Sequence, residues 1–187
     1  MIINDEYKKQ LEELHSNPKT FNNGRKQYRV VEKFLTDNKF NSLLDFGCGK
    51  GGLIECVKEH HPDISNVQGY DPGHKQFEIL PTAPFECVVS TDAMEHIEPE
   101  YLDDTLRTVN NLFTDYCFLR IACYPAKKSL PDGRNAHLIV EQPEWWIQKV
   151  KTFLTGEVVY TDIKDFHGTP KKGPPIVGKE VIIIVKK

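Results

Sequence analysis

The sequence predicts an α/β fold: a doubly wound, mainly parallel sheet with helices on both faces. Segments with strand character alternate with segments of helical periodicity through most of the 187 residues. Several strand segments are continuous apolar runs, which is typical of strands buried on both faces of a parallel sheet. The last two strands have no helix between them, so we expect them to form an antiparallel hairpin at one edge.

The N-terminal part of the chain predicts a helical cover for this sheet. Apolar residues recur at helical spacing over residues 5–15 and again from about 25 to 37. Proline and glycine interrupt the pattern between the two helices. We therefore expect one domain in which residues 1–40 cover an α/β core formed by residues 41–187.

The elements of the core follow from apolar runs and their boundaries. The predicted strands are 42–46, 66–71, 86–91, 116–124, 157–163 and 179–187. The predicted helices between them are 53–59, 98–113 and 142–153. Pro99 and Pro143 lie near the starts of the last two helices, where proline is tolerated. Residues 72–85 contain three prolines and predict an irregular connection.

Composition and charge restrict the class of protein. Hydrophobic residues make up 39% and charged residues 27% of the chain, as in ordinary globular proteins. The net charge of -3 argues against a dedicated partner of nucleic acid or of an anionic membrane. No apolar run is long enough to span a bilayer. Five cysteines without a C-x-x-C pair predict a cytoplasmic protein with neither a disulfide framework nor a zinc site.

A glycine loop follows the first core strand in the stretch LLDFGCGKGG, residues 43–52. Gly47, Gly49 and Gly52 fit the dinucleotide pattern G-x-G-x-x-G, whereas Gly47, Gly49 and Gly51 fit the S-adenosylmethionine pattern G-x-G-x-G. Both patterns let the backbone turn sharply and present a helix N-terminus to an anion. Asp71, at the end of the next strand, can accept hydrogen bonds from ribose hydroxyls whichever of the two ligands binds.

Asp45 favours the second of these ligands. A carboxylate two residues before the first glycine suits the cationic amino group of a methionyl ligand, and it would repel a pyrophosphate. The chain also leaves too little length for the separate substrate domain of a nicotinamide dehydrogenase. A glycine turn that binds nothing remains the plainest alternative.

Three segments in order resemble a known family. LLDFGCGKGG, GYDPG and VVSTDAMEHIEP are similar to the first, second and fourth characteristic segments of class I S-adenosylmethionine-dependent methyltransferases, which have a Rossmann-like fold. The segment TDAMEHI is particularly similar to the small-molecule branch of that superfamily. The resemblance covers residues 40–125 strongly, and the remainder only in the order of its elements.

The resemblance implies roles for individual residues. The methionyl part of the cofactor would be surrounded by Asp45, Gly47, Cys48, Gly49, Lys50 and Gly51. Asp71, with Pro72 beside it, would hold the ribose hydroxyls, and Thr91 and Asp92 would face the cofactor near the sulfonium. Family members usually place a full helix and strand where only residues 72–85 are available here, so no residue is assigned to adenine.

The chemistry of methyl transfer suggests where a base is needed. The reaction is an in-line displacement, and an acceptor that binds in its protonated form needs a group to take that proton. His137, in the polar loop after the fourth strand, is the first candidate, and His96 in EHIEP is the second. Arg134, Asn135 and Trp145 are candidates for acceptor binding, Arg134 through an acidic group on the acceptor.

Each of these candidates has a structural alternative. His96 can bond a helix start, the loop side chains can cap one another, and Trp145 can simply pack in the core. His96, His137 and Asp92 have no spacing typical of metal ligands, so no metal site is predicted. Lys171 and Lys172 predict a solvated hairpin loop rather than an anion contact.

The predicted function is therefore S-adenosylmethionine-dependent methyl transfer to a small molecule or metabolite. A methyltransferase acting on protein or nucleic acid is less consistent with the acidic balance. A non-catalytic binding module is the other alternative, and the short segment 72–85 is its best support. The sequence identifies neither the acceptor nor the oligomeric state.

Overall fold

A computed structural model of the chain describes residues 3–17, 24–168 and 175–187. Its sheet has six strands in the order β2-β1-β3-β4-β6-β5. The strands are β1 (Ser42–Phe46), β2 (Asn66–Tyr70), β3 (Phe85–Thr91), β4 (Phe113–Cys123), β5 (Glu157–Gly168) and β6 (Ile176–Lys186). The ladders β2-β1, β1-β3 and β3-β4 are parallel, whereas β6 is antiparallel to both β4 and β5. The predicted fold class and its antiparallel hairpin are confirmed.

Five α-helices accompany the sheet in the described part of the chain. They are α1 (Asp5–Ser16), α2 (Gly24–Asp37), α3 (Gly52–His60), α4 (Leu102–Leu112) and α5 (Pro143–Phe153). Two 3-10 turns, Met94–His96 and Pro99–Tyr101, follow β3. Asn4 caps α1, since its side chain accepts a hydrogen bond from the amide of Tyr7.

The core forms on both faces of the sheet because side chains along a strand alternate between faces. Leu43 belongs to a buried cluster with the apolar sides of α2 and α3, and its neighbour Leu44 belongs to a cluster with α4 and α5. Both leucines are fully buried. The largest buried side chain, Trp146, anchors α5 to the second cluster.

The connection between β2 and β3 is short and irregular, as the sequence predicts. Residues 71–84, all of them described, contain no helix or strand, so β2 forms an edge of the sheet. Helix α1 packs on this connection instead. A Cβ on Gly73 would lie 2.4 Å from the Cβ of Leu11, and Lys8 forms an ion pair with Glu78 at 2.7 Å.

Several element boundaries differ from the prediction, including the starts of α4, β4 and β6 and the end of β5. Phe113, expected in a helix, begins β4, because it pairs with Phe85 in the parallel ladder directly after α4 ends. Strand β5 continues past Ile163 to Gly168, pairing with β6 along its whole length. Its added residues are mostly polar and exposed, so no apolar run marks them in the sequence. The predicted loop lysines 171 and 172 lie outside the described residues.

None of the helices in the described ranges combines the length and the apolar character that crossing a membrane requires.

Candidate functional site

The glycine loop between β1 and α3 turns at three left-handed glycines. Gly47, Gly49 and Gly51 have φ values of 81°, 57° and 77°. Gly52 serves another purpose: its backbone touches that of Gly24, where an added Cβ on Gly24 would lie 2.1 Å from the Gly52 carbonyl carbon. The loop therefore uses the spacing G-x-G-x-G, and Gly52 lets α2 and α3 approach each other.

Asp71 ties the glycine loop to the end of β2. Its Oδ2 accepts a hydrogen bond from the Gly49 amide at 2.8 Å, and its Oδ1 accepts one from the Gly73 amide at 2.9 Å. His15 of α1 lies 3.4 Å from the same Oδ1 through Nε2. A carboxylate has about four acceptor sites, so Asp71 keeps room for hydroxyl donors from a ligand.

A cavity of about 390 Å³ extends from this loop along the carboxyl edge of the parallel strands. Gly47, Cys48, Gly49, Asp71 and Pro72 line one end. The other end is lined by Ala122, Tyr124, Ala126, Lys127, Phe166 and the two histidines 96 and 137. Its volume falls within the usual range of small-molecule sites.

Helix α1 forms the roof of the cavity over both ends. Leu11, Leu14 and His15 line it near Asp71. Tyr7 lines it near the histidines, and its hydroxyl donates to the backbone carbonyl of His96 at 2.6 Å. The roof is thus positioned by contacts with both halves of the site.

His96 and His137 come together from two different loops. Their rings meet edge to face with centroids 4.8 Å apart. His96 Nδ1 lies 2.6 Å from the carbonyl oxygen of Ala136, and His137 Nδ1 lies 2.5 Å from that of Tyr124. A carbonyl oxygen only accepts, so each Nδ1 carries the hydrogen and each Nε2 presents a lone pair.

Both histidines favour the neutral form. Burial, and then the neighbouring His137, lower the pKa of His96 to about 4. Burial also lowers the pKa of His137. Neutral imidazoles of one fixed tautomer are the form in which histidine accepts a proton or binds a cation.

A comparison with protein-family models matches residues 21–148 to a family described as a methyltransferase domain. The chain belongs to this family. Two structural neighbours described below were solved with S-adenosylhomocysteine bound, so S-adenosylmethionine is the donor with which the cavity is compared. No curated protein sequence matches the chain significantly.

Solved structures share the fold of this methyltransferase at low sequence identity. TehB from Haemophilus influenzae is 14% identical with a TM-score of 0.61, over 85% of this chain and 61% of TehB. The chain thus spans less than two thirds of TehB. The N-methyltransferase NodS from Bradyrhizobium japonicum, in complex with S-adenosyl-L-homocysteine, is 10% identical with a TM-score of 0.61, covering 96% and 98% of the two chains.

A third structure was solved with both a small molecule and S-adenosylhomocysteine bound. The Burkholderia thailandensis 1,6-didemethyltoxoflavin-N1-methyltransferase is 12% identical with a TM-score of 0.60, covering 97% of this chain and 89% of its own.

Asp45 of this methyltransferase lies behind the glycine loop rather than in the cavity lining. It is 2% exposed, and its Oδ2 has no hydrogen-bond partner among the described residues. Burial, and then the charge of Asp71, raise the pKa of Asp45 to about 8. A cationic group bound on the cavity side of the loop would favour the ionised form of this carboxylate across the loop, so the site fits a ligand with an ammonium group.

Several residues predicted for the cofactor lie beside the cavity instead. Lys50 turns away, and its Nζ donates to the carbonyl oxygen of Asn17 at 2.6 Å. Gly51 packs under Phe77, where an added Cβ would lie 2.8 Å from the ring. Thr91 is buried, and its carbonyl accepts a hydrogen bond from Gln27 of α2 at 3.1 Å. Gln27 itself lines the cavity, which the sequence did not indicate.

The three residues predicted for the acceptor also lie outside the cavity lining. Arg134 is engaged by Asp132 at 2.7 Å and lies 3.7 Å from Glu98. Asn135 holds its own loop, since its Oδ1 accepts from the amides of Ala126 and His137 at 2.8 and 2.9 Å. Trp145 packs edge to face on Trp146. Asn135 therefore positions His137, and Trp145 stabilises the core.

Asp92, which the resemblance places near the sulfonium, lines the cavity together with Arg120, and the two belong to a charged triad that the sequence analysis missed. Arg120 of β4 donates to Asp92 and to Glu180 of β6. Asp92 adopts a left-handed φ of 54°, which carries it from the end of β3 towards the arginine. The signal in the sequence is a single arginine inside the apolar strand FLRIAC, since a buried charge needs partners.

The acceptor end has an aromatic wall that the sequence did not reveal. Tyr124 and Phe166 stack face to face at a centroid distance of 3.9 Å and an interplanar angle of 6°. Phe166 lies on the part of β5 that extends beyond the predicted strand. Lys127 stands beside this wall in the cavity lining. The wall thus depends on the pairing between β5 and β6. The distribution of apolar residues along the sequence does not reveal that pairing.

Proposed function

We propose that this methyltransferase transfers the methyl group of S-adenosylmethionine to a small molecule bound at the histidine end of the cavity. The observation that carries the proposal is the continuity of one cavity of about 390 Å³ from the glycine loop to His96 and His137. A cavity of this size suits a small acceptor better than a protein or nucleic-acid segment. The toxoflavin-precursor enzyme, a structural neighbour with a small molecule bound, supports the same choice.

The residues at the first end fit the donor group by group. When bound, S-adenosylmethionine supplies a methyl group activated by the sulfonium. Asp71 would accept the ribose hydroxyls, and Gly47 and Gly49 allow the backbone to approach the methionyl part closely. The unpartnered oxygen of Asp45 would attract the ammonium group through the loop.

Helix α1 supplies the wall that the short connection after β2 lacks. Leu11 and Leu14 face the cavity opposite Tyr70 and Pro72, next to the proposed ribose site. These side chains provide an apolar slot of the kind that suits a flat adenine ring. We propose that adenine binds there, between α1 and the carboxyl end of β2.

His137 is the proposed base of the reaction. Its Nδ1 hydrogen is held by the Tyr124 carbonyl, so its Nε2 lone pair is available to a proton of the acceptor. As a lone pair of the acceptor forms the new bond to the methyl carbon, the acceptor's proton passes to this nitrogen. His96 stands in the same tautomer beside it and would orient the acceptor.

The compartment and domain organisation remain proposals as well. All five cysteines are free and buried, which supports a reducing, cytoplasmic environment. Helices α1 and α2 pack on the sheet and its cavity, which supports one functional domain over the chain.

Calorimetry with S-adenosylhomocysteine tests the donor site. We expect the wild type to bind, Asp71→Ala to lose most of the affinity, and the exposed Asp63→Ala to bind as the wild type does. A wild type that does not bind would remove the proposal. If it binds, incubation of a cell extract with methyl-labelled donor, followed by separation by size, shows whether label enters small molecules. Label found only in protein or nucleic acid would overturn the proposed acceptor class. The absence of label from every fraction would overturn it as well.

A further inference from the structure

Glu95, His96 and His137 form a cluster at the inner end of the cavity. One ligand atom from each side chain lies within 4.8 Å of the other two. Glu95 and His96 belong to the turn after β3, whereas His137 belongs to the loop after β4. The cluster therefore exists only in the folded chain, and it combines one carboxylate with two imidazoles.

The carboxylate of Glu95 lacks a partner for one oxygen. Its side chain is fully buried, and its Oε1 accepts a hydrogen bond from the amide of Ala122 at 3.2 Å. Its Oε2 is buried with no hydrogen-bond partner in the described part of the chain. Such an atom costs free energy unless a proton or a cation satisfies it.

The two histidines are oriented as metal ligands are. Histidines that bind metals usually donate their other ring nitrogen to a carbonyl or carboxylate, which fixes the tautomer and the ring plane. His96 and His137 do this through Nδ1 to the carbonyls of Ala136 and Tyr124. Both rings also line the cavity, so an ion bound to them can be reached by a ligand.

We propose that Glu95, His96 and His137 bind one divalent transition-metal ion of the zinc class. Since the ligand atoms lie within 4.8 Å of one another, some point lies no farther than about 2.8 Å from all three. Zinc binds nitrogen and oxygen at about 2.0–2.2 Å, so each side chain has to move by less than about 1 Å. Two histidines and one carboxylate leave a fourth position open, as in catalytic zinc sites.

The site also indicates the class of acceptor, and this part rests on the proposed function. An ion with an open position on the cavity side would bind an acceptor oxygen and lower the pKa of its hydroxyl. The acceptor would then be a phenol, an enol or a hydroxy acid. The hydroxyl would then release its proton to solvent water as it binds the ion, so His137 would accept that proton only in the metal-free protein.

Zinc competition with a chromophoric chelator tests the site on metal-free protein. We expect one ion per chain, and binding weaker by more than about 10-fold in His96→Ala, His137→Ala and Glu95→Gln. The matched control is the double variant His60→Ala with His61→Ala, which removes two neighbouring histidines at the end of α3. This variant should retain the tight zinc site. Zinc binding that survives the cluster variants, or disappears in the control, overturns the proposal, as does a wild type that binds no zinc.

Calorimetry with S-adenosylhomocysteine separates this proposal from the function on which it partly rests. Cluster variants that keep donor affinity are folded, and loss of zinc alone is then informative. A second measurement requires no variant: Co²⁺ added to wild type should shift the ring-proton signals of the half-buried His96 and His137 in the NMR spectrum. Shifts confined to the other five histidines, or no shift, would overturn the metal site and leave Glu95 to hold a proton instead of an ion. Absence of donor binding in the wild type would remove the proposed function without deciding the metal site.

Discussion

Asp71 and Gly49 join the ends of two neighbouring strands through a single hydrogen bond of 2.8 Å from amide to carboxylate. The same carboxylate accepts the amide of Gly73, so one side chain shapes both the glycine loop and the turn after β2.

Asp71→Asn should therefore weaken donor binding and the fold together. Asparagine offers one oxygen but turns an NH₂ group towards one of the two amides, leaving that amide unpaired. A hydrogen bond to a charged group contributes about 1.5–3 kcal/mol, and we expect a loss of this size in urea denaturation. Asp63→Asn, at an exposed position, is the control. Unchanged stability in Asp71→Asn would show that the carboxylate does not hold the loop.

Gly47→Ala should destabilise the protein more than Gly133→Ala does. Both glycines have left-handed backbones, with φ of 81° and 88°. The added Cβ would lie 2.3 Å from the Cβ of Ala93 at position 47, whereas at position 133 it meets nothing within 4 Å. Gly133→Ala should lose only the conformational cost of about 1–2 kcal/mol.

Urea denaturation of both glycine variants gives the comparison. The difference between them isolates the steric conflict under the glycine loop, and only Gly47→Ala should also lose affinity for S-adenosylhomocysteine. Equal losses of stability would mean that Ala93 moves aside without cost.

Binding of the donor product should release protons near neutral pH. The pKa of Asp45 is raised to about 8 by burial and by Asp71, so the free protein holds a proton there below that pH. An ammonium group favours the ionised carboxylate and lowers this pKa on binding. At a pH between the pKa of Asp45 in the complex and its pKa in the free protein, binding releases the proton. Well above pH 8 the free protein holds no proton there to release.

Calorimetry of S-adenosylhomocysteine binding at pH 7, in buffers of different ionisation enthalpy, measures this release. We expect the wild type to release protons as the ligand binds. Asp45→Asn, which keeps the size of the side chain, should release fewer protons per ligand bound. The same raised pKa predicts that free protein loses stability as pH rises from about 4 through 8, because the unfolded state ionises first. Asp45→Asn should flatten that slope.

Arg120→Met should cost roughly 3 kcal/mol in urea denaturation, since it leaves Asp92 and Glu180 facing each other without a cation. Combining it with Asp92→Asn and Glu180→Gln removes both charges and should recover most of the loss. A triple variant no more stable than Arg120→Met would show that the arginine acts by packing rather than by charge.

Much of the fold could be predicted because it depends on local patterns. Leu43 and Leu44 predict a strand that is buried on both faces. Gly47, Gly49 and Gly51 predict a sharp loop. Phe113 could not be placed, since it is apolar in either a helix or a strand and is decided by pairing with Phe85.

The donor end of the site was more predictable than the acceptor end for a physical reason. The glycine loop and Asp71 sit directly after strands, where parallel topology fixes their position. Arg134 and Asn135 carry groups that could bind an acceptor. In the structure, however, Arg134 forms an ion pair with Asp132, and Asn135 forms a hydrogen bond with Ala126. Phe166 and Glu95 entered the site only through contacts between distant segments, which one sequence does not reveal.

The roof helix also constrains the order in which molecules can enter and leave. Helix α1 touches the donor end through Lys8 and Leu11 and the acceptor end through Tyr7, within one rigid element of twelve residues. A movement of the whole helix away from the sheet would therefore open both halves of the cavity together. Departure of the spent donor and arrival of a new acceptor share one gate, and such a gate makes turnover sensitive to the rate of a helix movement rather than to the displacement step itself.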